Sequence, residues 1–213
     1  MMKTDELIAH LSADLEVVPA HYVGRILAMG VGVGFLVSGL LMLVVMGPRP
    51  DLAAAMVGGA FWMKLAYALS LAGLGLWMVE RLSRSDASAK RPAMFIAVPV
   101  ILLLVVAVVE LSQPGVDRQH LVMGDSWRVC AIDILALSVP TFVTIFWVLR
   151  RLAPTRLSLA GAGAGLLAGA LGASVYAFHC VEYTAPFILI WYSTGIAAAA
   201  LIGAGIGSWA LRW

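Results

Sequence analysis

Apolar residues run along this chain in six long stretches, each bounded by charged or turn-forming positions: Ile26 to Met46, Phe61 to Val79, Met94 to Leu111, Val129 to Leu149, Ser158 to Phe178 and Pro186 to Leu211. Each approaches the ~20 residues with which an α-helix crosses a hydrocarbon core of about 30 Å. The pattern predicts an all-α, polytopic membrane protein, a bundle of six transmembrane helices with both termini on one side. Pro99 falls near the start of the third stretch, where a helix tolerates it; Pro140 falls in the middle of the fourth and predicts a kink. The segment RPDLAAAMVGGA ahead of the second stretch reads equally as an interfacial helix or a loop.

The first 18 residues, MMKTDELIAHLSADLEVV, carry a different pattern. Leu7, Leu11 and Leu15 recur every four residues, flanked by Ile8 and Val18, which makes one apolar stripe on a short helix. Thr4 is placed to cap it, Asp5 and Glu6 suit the positive end of its dipole, and Pro19 limits the far end. Helices that lie on membranes usually carry a basic polar face. Here that face holds Asp5, Glu6, Asp14 and Glu16 against Lys3, a charge that fits the groove of a basic protein partner. The division expected is therefore a partner-binding helix over residues 1–20 and a six-helix domain over 21–213.

Composition agrees with the bilayer reading: 62% of the 213 residues are hydrophobic and 12% charged, against roughly a half and a quarter in soluble domains. The net charge of +2 matters less than its distribution. With the N-terminus inside, the inner side collects Lys3, Arg25, Arg81, Arg84, Lys90, Arg91, Arg150, Arg151, Arg156 and Arg212, leaving Arg49, Lys64, Arg118 and Arg128 outside. Cytoplasmic loops carry such an excess, so both termini are expected in the cytoplasm. The first apolar run is too long for the core of a cleavable signal. GVGVG at 30–34 and GAGAG at 161–165 lie inside apolar spans, with no strand before them as a phosphate loop requires. Gly161, Gly165 and Gly169, like Gly203 and Gly207, recur every four residues, the small-residue pattern of closely packed membrane helices.

Candidate chemistry gathers at the outer ends of the spans. Cys130 opens the fourth and Cys180 closes the fifth, and the chain has 2 cysteines in all. The short inner loop RRLAPTR makes these two spans antiparallel neighbours. Asp133 lies about one turn from Cys130, His179 and Glu182 flank Cys180, and His120 sits in the preceding outer loop. Thiolates with imidazole suit zinc, copper or a similar soft ion, which marks Cys130, Cys180 and His179 as candidate metal ligands. A plain disulfide, or two thiols packed as small apolar groups, explains the same residues. Lys64, Glu110 and Asp133 read as a polar cluster paired inside the bundle, or as part of an ion path.

Other classes fit less well. A small six-helix transporter or proton-translocating protein needs a polar path, and the fifth and sixth spans are nearly free of ionisable groups. A thiol-disulfide enzyme is expected to show a Cys-x-x-Cys pair, which is missing. No hydrolytic or phosphoryl-transfer motif stands out, and a non-enzyme without a resident cofactor is expected.

The opening MKTDELI with a following DL and Pro, GPRPDLAAA, Lys64, WRVCAIDI, APTR and the stretch from HCVE to WY appear in an order and spacing that resemble the NrsF family, the negative regulators of sigma F. The resemblance spans nearly the whole chain. It implies a bacterial inner-membrane anti-sigma factor of six helices. In that family picture the cytoplasmic N-terminus, here with Asp5, Leu7, Ile8, Leu11 and Leu15, holds an extracytoplasmic-function sigma factor inactive without touching nucleic acid itself. It also implies that Cys130 and Cys180 take part in sensing metal or oxidative stress, a heavy-metal ion binding only transiently.

Overall fold

The computed structural model describes residues 22–83 and 89–212. The expected N-terminal helix lies outside them. Among the described residues every regular element is helical. The first span is α1 (Tyr22–Leu41), prolonged by one wide π-type turn over Met42–Met46. A short helix α2 (Leu52–Val57) occupies the segment that read ambiguously, and α3 (Gly59–Leu82) is the second span. The third is split into α4 (Lys90–Phe95) and α5 (Ala97–Leu111), with Pro99 in the first turn of α5. An outer helix α6 (Arg118–Met123) leads into α7 (Trp127–Leu152), which runs unbroken through Pro140. The fifth span is α8 (Leu157–Tyr176). The sixth comprises α9 (Ala185–Phe187), a second π-type turn over Ile188–Tyr192, and α10 (Ser193–Ala210).

Six of these helical stretches are long and apolar enough to cross a membrane. Their outward faces carry Leu36, Val44, Leu102, Ile132 and Leu201, all more than half exposed. A bilayer, unlike water, solvates such a surface without cost.

The centre of the bundle is α8, packed against α10, α3 and α7, while α1 leans on the outer side of α7. Its composition explains its place. Built almost wholly of Gly, Ala and Leu, α8 lets its neighbours approach to backbone distance. A Cβ on Gly161 would collide with the Gly203 carbonyl, one on Gly165 with the Ala199 carbonyl, and one on Gly75 would sit 2.8 Å from the Leu167 nitrogen. Such approach gains dispersion contacts that larger side chains would prevent, the main source of helix association in lipid. The glycine pattern in the sequence thus marks the seam between α8 and α10. Two side-chain hydroxyls fasten the neighbouring α1 and α7: Thr144 donates to the Gly30 carbonyl at 2.8 Å, and Ser38 donates to the Leu137 carbonyl at 2.8 Å.

Candidate functional site

The loop from Ala177 to Thr184 closes one end of the bundle and binds every other segment that reaches that end. Its carbonyls follow the C-terminus of α8, where the partial negative charge of a helix attracts cations. Lys64 of α3, fully buried, donates from Nζ to the Cys180 carbonyl at 2.6 Å and the Glu182 carbonyl at 3.0 Å. Arg49 donates from Nη1 to the same Cys180 carbonyl at 3.2 Å, while its backbone N–H donates to the Phe178 carbonyl. The guanidinium also grips Asp51 with two bonds of 2.7 Å. These bonds hold the Asp51 carboxyl below its ordinary pKa and raise that of Arg49. An ammonium bound by two carbonyls explains how a lysine survives without a carboxylate partner in an apolar interior.

Glu182 joins the loop to the helix that carries Cys130. Its Oε1 accepts the backbone N–H of Asp125 at 2.7 Å and of Ser126 at 3.3 Å, just ahead of the first turn of α7. A carboxylate there satisfies orphan amides and the positive end of the dipole. Gly124 makes room for it: its φ is +53°, and a Cβ would lie 2.6 Å from the carboxyl carbon. Thr184 donates to the Leu121 carbonyl at 2.8 Å, and Glu110 accepts the Ala185 N–H at 2.8 Å. Trp191 donates to the Val122 carbonyl, and its ring lies 5.3 Å from that of Trp127.

Between these anchors lie the two cysteines, both free thiols, 0% and 2% exposed. They are within electrostatic reach of one another. Tyr176 faces Cys130 and Tyr192 faces Cys180, with the rings 5.9 Å apart. The hydroxyl of Tyr192 and that of Ser126 are buried without a well-formed hydrogen bond. The thiols therefore lie packed among buried polar side chains at this end of the bundle.

The structure brings the sequence-predicted residues to this one end through separate partners. His179 turns its Nδ1 to the Gly47 carbonyl at 2.8 Å. A carbonyl only accepts, so Nδ1 carries a proton. Asp133 is half-buried near His179 and Tyr176. Lys64, Glu110 and Asp133 each engage the loop or its flanks, Lys64 and Glu110 through backbone groups rather than one another. His120 is exposed on α6. Among the described residues no three His, Cys, Asp or Glu side chains converge as a metal site. Arg49, Gly124, Tyr176 and Tyr192 were not singled out from sequence. Gly124, between two apolar runs in MGD, carries a turn signal; the tyrosines look like ordinary apolar-span residues.

The fold is a bundle of six apolar helices with a buried pair of thiols beneath a loop tied by polar bonds. The chain belongs to the NrsF family, whose model, described as Negative regulator of sigma F, matches residues 11–213. It is 39% identical, over the full length of both chains, to the "Probable anti-sigma-F factor NrsF" of Azospira oryzae. It is also 39% identical over full length to the "Anti-sigma-F factor NrsF" of Caulobacter vibrioides. These names are regulatory rather than enzymatic. No solved structure matches the chain.

Proposed function

We propose that this protein is an inner-membrane anti-sigma factor, that residues 1–20 hold an extracytoplasmic-function sigma factor in the cytoplasm, and that Cys130 and Cys180 release it on sensing oxidants or soft metal ions. Family membership and the names of the two relatives support the anti-sigma role. The six apolar helices support residence in the membrane, and the basic bias supports a cytoplasmic location for both termini. The partner and the stimulus rest on the acidic stripe of the N-terminus and on the buried thiol pair.

The observation that carries the switch is the Glu182 carboxylate, two residues after Cys180, capping the helix that begins three residues before Cys130. In this reading a change that joins the sulfurs strains this cap, and chemistry at the thiols becomes a movement of α7 against α8. Oxidation forms one S–S bond and delivers two protons and two electrons to the external oxidant. A soft cation instead displaces two thiol protons and bridges the sulfurs. Release follows if the joined state binds the sigma factor less well, since a stimulus with equal preference for both states shifts nothing.

The test is a sigma-dependent reporter in cells carrying wild-type protein, Cys130→Ser, Cys180→Ser or the Cys→Ala pair. Each variant is expected to keep basal repression and lose induction by oxidant or soft metal. Full induction in the double variant removes the cysteine switch. In the same strains, Leu7→Ser with Leu11→Ser and Leu15→Ser is expected to give constitutive transcription while the protein stays in the membrane.

A further inference from the structure

At the end of the bundle opposite the thiols, α1 and α7 part to leave a groove of about 370 Å³ between Tyr22, Arg25, Met29, Val33, Trp147 and Arg151. Its mouth is cationic and aromatic, and its depth is apolar. Arg151 stacks over the Trp147 ring with Cζ 3.8 Å from the centroid, a contact that still leaves a guanidinium's N–H edges available to donate. Neither Arg25 nor Arg151 is ion-paired to a described residue. Tyr22 and Trp147, 43% and 54% exposed, are the side chains that settle at the headgroup level of a bilayer. From Tyr22 to Val33 the groove follows α1 for about 16 Å at 1.5 Å per residue, roughly one leaflet of hydrocarbon. Met29 and Val33, both more than half exposed, line its deeper part.

We propose that this groove binds an anionic phospholipid, with the phosphate held by Arg25 and Arg151 and one acyl chain lying along Met29 and Val33. The proposal rests on the reading that the six helices span a membrane. Two guanidiniums with no ion-pair partner among the described residues lie at the headgroup level and attract negative phosphate, and a fork donor binds it through two parallel bonds. An apolar wall one leaflet deep selects a ligand that is also a lipid rather than a free phosphate. The bound lipid bridges the first and fourth spans where the chain between them is otherwise held by Thr144 and Ser38 alone among described polar side chains.

Full-length protein extracted from membranes in mild detergent is exchanged with phosphatidylglycerol or phosphatidylcholine, and retained lipid is read by native mass spectrometry. Phosphatidylglycerol is expected to be retained at least about tenfold better, and to raise the midpoint of thermal unfolding where phosphatidylcholine does not. Arg25→Ala with Arg151→Ala is expected to erase the preference, and Val33→Trp, which fills the acyl path with both charges intact, to lower retention. Equal retention of the two lipids, or a preference untouched by either variant, overturns the site. Retention of phosphatidylglycerol only after removal of residues 1–20 also overturns it, assigning the groove to the chain's own acidic segment. A free glycerol phosphate that competes as well as the lipid does the same. Failure to remain with membranes after an alkaline wash would instead remove the spanning reading on which the site rests.

Discussion

The α8–α10 seam and the loop around Cys180 hold the same helix in opposite ways. Along the seam, Gly161, Gly165, Gly203 and Gly207 bring backbones together with no charged side chain taking part. At the loop, nearly every anchor is a directional polar bond to a single short segment. Close packing of this kind has one arrangement, because backbone atoms cannot yield. Polar anchors can be exchanged one by one, at about 0.5–1.5 kcal/mol each when neutral and more when charged. The difference teaches where a switch can reside: α8 is suited to carry a displacement as a rigid rod, and the loop to originate it.

The largest effect is expected at the seam. Gly161→Val with Gly165→Val forces side chains into opposing carbonyls and should cost about 3 kcal/mol or more, read as a lowered unfolding midpoint in detergent. The surviving folded protein should still respond to oxidant. Next comes Glu182→Ala, which leaves the Asp125 and Ser126 amides unsatisfied and should cost about 1.5–3 kcal/mol. Unlike the seam variant, it should also weaken the coupling between thiol oxidation and transcription. Lys64→Met removes both carbonyl bonds while keeping the side-chain length, and should lower the unfolding midpoint by the equivalent of about 1–3 kcal/mol. Gly124→Ala, at about 1–2 kcal/mol, should mimic a milder Glu182→Ala, because it strains the turn and displaces the carboxylate.

The smallest effect concerns Asp51. Its folded pKa lies below the ordinary 3.8, so the stability it contributes is present above that value and lost as pH falls through the folded one. Asp51→Asn should therefore flatten the acid side of the stability profile below about pH 4 and change little at pH 7, which thermal unfolding across that range measures.

Much of the fold is legible because apolar length and small-residue spacing are properties of the chain itself. Five spans fall within about four residues of the expected bounds, the fourth does so only from Trp127 because the outer helix runs into it, and the spacing of Gly161, Gly165 and Gly169 finds the seam. The break between Phe95 and Ala97 and the wide turns at Met42–Met46 and Ile188–Tyr192 leave no such mark. At the site, rare residue types in an apolar chain point to Cys130, Cys180, His179, Glu182 and Lys64. Their partners stay hidden because Lys64 and Glu182 bind backbone groups, which every residue possesses. Arg49 and Gly124 were illegible for the same reason, since their importance lies in what another segment places beside them.

The central claim is that joining the two sulfurs releases the sigma factor. Full-length protein co-purified with its sigma factor is treated with the thiol oxidant diamide, quenched by denaturation with an alkylating reagent, and read by intact mass alongside the amount of sigma factor still bound. The account predicts that release tracks, molecule for molecule, the loss of both alkylated thiols together with two hydrogens. Release while both thiols still take up the reagent, or a formed disulfide with the sigma factor still bound, would contradict it.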